Sequence, residues 1–226
     1  MKALIVCTNT GVFPTKKTKT GLWFSELVYF YDYLYRKNVI VEIASPMGGE
    51  VPVDPRSLES RDEVVRHYLQ DSGFMQKLQN TKPVSAVHAP GIGVIHLAGG
   101  HGAIWDFPES EELQQIIADI YLGFGMITAV GYGVSALLNV KLEDDSWFVK
   151  DRYLTGFSNI EETFSSFSSE VPFSLEDKLV ERGAHFTKTM IPFTEHIEMD
   201  ERLITGQNPN SARKIAQKVI EELWEK

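Results

Sequence analysis

At 226 residues the chain is long enough for one domain with a full hydrophobic core. Its apolar fraction of 43% and charged fraction of 23% are those of an ordinary soluble globular protein, and its apolar runs fall well short of the roughly 18 residues a membrane-spanning helix needs. The formal net charge of −9, from 22 basic and 31 acidic residues, argues against nucleic acid or an anionic membrane as the main partner.

The chain opens on "ALIVCT" (3–8), a short β-rich run with no cleavage site before it, so a first core strand is expected, not a signal peptide, with a cytoplasmic location as the default. The single cysteine, Cys7, lies inside that run; it rules out an internal disulfide framework and reads as a buried, inert thiol. The only basic cluster, "TKKTK" (15–19), reads as a solvated loop. "GLWFSELVYFYDYLYRK" (21–37) has helical period and joins the first strand to a second, "VIVEIAS" (39–45). Residues 54–81 are polar and helical with a glycine break, and resemble a small helical cap inserted near 54–90 more than a sheet element. "GVIHLAGG" (93–100) returns to strand, and "SEELQQIIADIYLGF" (110–124) is an amphipathic helix with Ser110 as N-cap. A further strand, "MITAV" (126–130), follows. In the closing helix, 210–226, Ile215, Val219, Ile220 and Leu223 form a stripe that faces a core. Strands alternating with helices predict an α/β protein with a mostly parallel sheet, and no repeat or linker divides the 1–226 chain into a second domain.

After "MITAV" comes the turn Gly131-Tyr132-Gly133, in "GYGVSA". It fits the G-x-G-x-x-A form of a dinucleotide fingerprint, but such a fingerprint belongs in the first βα turn, and Asp151, the one acid at suitable separation, precedes a strand where it should end one. The turn equally fits a strand-to-helix elbow that should carry a nucleophile and has none. Ser135 lies past the elbow and is expected to face the helix interior. Histidines 67, 88, 96, 101, 185 and 196 show no metal-ligand spacing, so no metal is expected.

The segments "TGLWFSEL", "ASPMGGEVPVDPRS", "AGGHGAIWDFPES", "AVGYGVSALLNV", "LTGFSNIEET", "VPFSLEDKLVERGAHF" and "DERLITGQNPNSA" occur in an order that resembles the ThiJ/PfpI superfamily of class I glutamine amidotransferase-like proteins. The likeness is greatest to its branch of heat-inducible chaperones and glyoxalase III enzymes. This resemblance implies a flavodoxin-like three-layer sandwich, chemistry without a cofactor and a homodimer. It also implies an elbow Cys followed by His, in place of which this chain has Gly131 and Tyr132.

By the same resemblance, Glu26 matches the acid beside the nucleophile, Glu162 the acid that orients the histidine, and Gly100 an oxyanion-hole donor, with His101 beside it. Tyr29 and Phe30 stand where the branch has His-Pro, and Ala98 replaces a proline, which predicts a more aromatic pocket lined in part by Tyr29. Without a thiolate no hemithioacetal can form, and a phenol, with an ordinary pKa of about 10, is a poor base at neutral pH. The expected protein is therefore a silenced relative, a pseudoenzyme with a stress-related role in holding unfolded clients or binding a small carbonyl or carboxylate compound. The alternative is a cofactor-independent lyase or hydrolase that uses the retained Glu26 and Glu162 on a small carbonyl substrate.

Overall fold

A computed structural model describes residues 2–224; Met1 and the last two residues of the helix expected over 210–226 lie outside the described residues. β1 (Lys2–Val6) is followed by α1 (Phe24–Arg36), with Glu26 in its first turn and Arg36 in its last, the charge order a helix dipole favours. β2 (Ile40–Ser45) leads through a 3₁₀ turn, Pro55–Glu59, to α2 (Glu63–Gln70) and α3 (Ser72–Gln79). The break expected at a glycine falls instead at Asp71, whose carboxylate accepts the Phe74 N–H at 3.0 Å and caps α3, while Gly73 sits inside that helix.

The short β3 (Lys82–Pro83) precedes β4 (Ile92–Leu97), α4 (Ala103–Asp106) and α5 (Glu111–Leu122). Ser110 caps α5 as expected, accepting the Leu113 N–H at 3.2 Å. β5 (Met126–Val130) runs into a 3₁₀ helix, Gly131–Leu137, in place of the α-helix anticipated there. The remainder comprises β6 (Tyr153–Leu154), α6 (Asn159–Ser165), α7 (Leu175–Glu181), β7 (His185–Phe186), β8 (Ile197–Asp200), β9 (Leu203–Gly206) and α8 (Ala212–Trp224).

The main sheet has the order β3-β2-β1-β4-β5-β9-β8 and is parallel except for the β8–β9 pair; β6 and β7 form a separate parallel pair. Strands buried on both faces read as near-continuous apolar runs, and β1 shows why "ALIVC" has no alternation. Leu4 and Val6 enter one core with α5, while Ala3, Ile5 and Cys7 enter the other with α1 and α8. β5 divides likewise, with Ile127 and Ala129 on the first side and Met126 and Val130 on the second. Ile215, Val219 and Ile220 of α8 are buried in the second core, as their spacing implies, and Leu223 packs against it. The result is the α/β sandwich with a mostly parallel sheet that the sequence implies. α2 and α3 attach outside α1 through Tyr31, Tyr68 and Phe74. No helix among the described residues is long and apolar enough to cross a membrane.

From β1 the chain moves first to β2 on one side and later to β4 on the other. Such a reversal opens a crevice at the C-terminal ends of the strands. The first turn of α1 and the turns after β4 and β5 meet there.

Candidate functional site

Gly131 ends β5 with φ +55, in the left-handed region that ordinary residues enter only under strain. A Cβ at this position would lie 3.0 Å from Glu26 Oε1, and the nearest atoms around it all belong to the Glu26 carboxyl. A side chain here would stand directly over that acid. Glu26 is only 1% exposed; its Oε2 accepts the Gly99 N–H at 2.7 Å, and Oε1 has no hydrogen-bond partner among the described residues. Burial pushes the Glu26 carboxyl well above the usual carboxylate range, with the Gly99 N–H pulling the other way.

The backbone under Glu26 is held by His96, whose Nε2 donates to the Glu26 carbonyl at 3.1 Å while Nδ1 pairs with the Thr128 hydroxyl at 2.9 Å. The imidazole stacks on Phe30 with ring centroids 4.0 Å apart, and burial pushes its pKa down to about 3, so it stays neutral. His96 is thus a strut between β4 and α1.

Beside Gly131, the Tyr132 hydroxyl donates to Glu162 Oε2, and Ser165 Oγ lies 2.6 Å from the other oxygen of the same carboxylate. Glu162 stands in the first turn of α6, which Ser158 and Glu161 start with a reciprocal capping box. A phenol–carboxylate pair therefore occupies the place expected for an imidazole–carboxylate pair. His101 is close by, its Nε2 3.7 Å from Glu162 Oε2, too far for a hydrogen bond; this buried nitrogen has no partner among the described residues.

Glu26, Gly100, His101, Gly131 and Tyr132 line one cavity of about 280 Å³, completed by Trp23, Arg56, Phe157, Ser165, Phe193 and Pro209. Glu162 lies behind Tyr132 and faces a neighbouring cavity with Asn159 and Phe173. The structure thus brings together every site residue expected from the sequence but one. Tyr29, one turn further along α1, lines a separate cavity with Asp32, Arg36 and Arg213. Phe30 is fully buried against His96, so neither residue shapes the cavity over Gly131. The pocket is aromatic, but through Trp23, Phe157 and Phe193.

Arg56, in the motif "DPRS", reaches the cavity without any local signal in the sequence. Its Nε donates to Asp54 Oδ1 at 2.8 Å and its Nη2 to Oδ2 of the same fully buried carboxylate, and its guanidinium stacks 4.2 Å above the Phe167 ring. Phe193, from the segment between β7 and β8, has φ +59, held by its N–H on Glu161 Oε1 at 2.8 Å and its carbonyl on Asn210 Nδ2 at 2.7 Å. Neither residue belongs to a periodic pattern that sequence reading could have followed.

Cys7 is fully buried, and burial together with the Asp106 charge raises its thiol pKa, which makes the thiolate inaccessible. Ser135 donates to the Ala103 carbonyl at 3.1 Å and is fully buried, as expected of a residue facing inward. The second glycine of "GYGVSA" does not leave room for a phosphate. A Cβ on Gly133 would meet the Leu97 carbonyl at 2.1 Å, so that glycine serves the packing of the turn on β4.

No family model matches the chain. The crystal structure of Rapid Encystment Protein 24 kDa from Francisella tularensis is 38% identical, with a TM-score of 0.95 over 99% of this chain and 100% of that one. The glutathione-independent glyoxalase hsp3102 of Schizosaccharomyces pombe is 26% identical over 97% of this chain and 96% of its own length. The structure of glyoxalase III from Candida albicans shares the fold, with a TM-score of 0.89 at 24% identity over 97% of this chain and 96% of that one. Likeness along the full length of both chains makes the protein a member of the ThiJ/PfpI superfamily, in its glyoxalase III-like branch.

Proposed function

We propose that this chain is a member of its branch without an elbow thiol, whose pocket binds a small carbonyl or carboxylate compound without converting it through a cysteine. The observation that carries this reading is Gly131, which leaves open the space over Glu26 where an elbow side chain would stand. Covalent catalysis on an aldehyde needs a nucleophile in that space and a group that moves protons beside it. Here the nucleophile has no atoms, and the neighbouring Tyr132 is engaged with Glu162. What the pocket keeps is its shape, a buried acid and fixed polar groups, which suffice for binding.

The relatives named as glutathione-independent glyoxalases supply the comparison for a test. Methylglyoxal consumption by this protein should equal the protein-free rate, while a relative with an elbow cysteine consumes it. Native protein should also resist iodoacetamide until unfolded, because Cys7 is its one thiol. Saturable consumption of methylglyoxal by the native chain would overturn the reading.

A further inference from the structure

We propose that the cavity over Gly131 takes a small aromatic monocarboxylate, its ring against Trp23, Phe157 and Phe193 and its carboxylate in the space over Gly131, hydrogen-bonded by Glu26 Oε1. This rests on the reading that the pocket binds a carbonyl or carboxylate compound, and it names the class.

The polar end follows from Glu26. Oε1 takes part in no hydrogen bond among the described residues, and a Cβ at residue 131 would stand 3.0 Å from it, so it faces the space that Gly131 leaves open. Burial favours the protonated form of this carboxyl, and an O–H in that space would meet an acceptor on the ligand. The charge of that acceptor follows from Arg56. Asp54 takes up its Nε and Nη2 and Phe167 stacks on its face, so the guanidinium is fixed on the cavity wall with Nη1 unpartnered among the described residues. Asp54 neutralises the pair overall, but the pre-oriented Nη1 N–H groups are charge-assisted donors and favour a carboxylate over a neutral carbonyl.

The ring follows from the walls. Trp23, Tyr132, Phe157 and Phe193 surround about 280 Å³, and aromatic faces hold a planar ring better than a short aliphatic chain. Phe193 is kept at φ +59, a conformation a bulky residue rarely adopts, by two hydrogen bonds to its backbone. These bonds hold the backbone that brings the Phe193 side chain, 42% exposed, to the cavity.

Calorimetric titration of the full chain with benzoate, benzaldehyde, acetate and lactate tests the assignment. Benzoate should bind at least tenfold more tightly than the other three. Phe193→Ala should weaken benzoate about tenfold and leave acetate unchanged, and Gly131→Cys, which fills the space over Glu26, should weaken benzoate at least tenfold in a protein whose fold is checked by circular dichroism. Acetate or lactate binding as tightly as benzoate overturns the aromatic class, and equal binding of benzaldehyde overturns the carboxylate; in both cases the pocket is still a binding site. Benzoate affinity unchanged in Phe193→Ala overturns the placement of the ring. Failure of all four compounds to bind overturns this inference and the binding reading together.

Discussion

Two glycine turns meet at the crevice, and they contain glycine for different reasons. After β4, Gly100 has φ +110, and a Cβ there would lie 2.2 Å from the Gly21 carbonyl oxygen and 2.4 Å from the Trp23 nitrogen. Backbone occupies that space, so no side chain fits unless the chain between β1 and α1 moves. After β5, Gly131 also has a positive φ, but its Cβ position is 3.0 Å from a carboxyl oxygen at the edge of a cavity. There the constraint is conformational, and room for a side chain exists. The first glycine is a requirement of the fold; the second marks a place where a functional side chain can be present or absent while the fold persists.

Substitutions should separate the two turns. Gly100→Ala is expected to have the largest effect, a loss of about 3 kcal/mol or more in urea denaturation, since two backbone segments must part. A loss below about 1 kcal/mol would mean that the turn can shift. Gly131→Ala should cost less, about 1–3 kcal/mol, because the strain of a left-handed non-glycine residue is the main penalty. Equal losses at the two sites would erase the distinction.

Tyr132→Phe removes one donor from Glu162 but leaves Ser165, and should lower stability by about 1 kcal/mol in the same assay. The change expected for Glu26→Gln depends on pH. A folded-state pKa raised by burial means that the native protein holds the Glu26 proton after the unfolded chain has released it, so the stability this group contributes is full below about pH 4.5 and declines as pH rises. Glu26→Gln should match the parent near pH 4 and gain in melting temperature relative to it toward pH 8. A constant offset across that range would place the Glu26 proton differently.

The sheet was legible because its central strands are buried on both faces. "ALIVC" and "MITAV" leave no other placement, and Ser110 announces its helix through a side chain that must accept a backbone N–H. β3, β6 and β7 were not legible, since two-residue strands carry no period. At the site, the motif order gave Glu26, Gly100, Gly131 and Tyr132 their places. Tyr29 was misplaced because only the first turn of α1 reaches the strand ends; one turn later the helix has moved beside Arg213 of α8. Arg56 and Phe193 reach the cavity through loops distant in sequence, and such convergence leaves no local signal.

The central claim is that loss of chemistry sits at residues 131 and 132 while the rest of the site persists, and methylglyoxal consumption tests it most directly. The native chain should show the protein-free rate, and Gly131→Cys should remain slow, since it lacks a proton-moving imidazole, typically worth about 10²–10⁴-fold. The double variant Gly131→Cys, Tyr132→His, measured beside them as a folded protein, should consume methylglyoxal with saturation. Consumption by the native chain at a rate comparable to the double variant would contradict the claim.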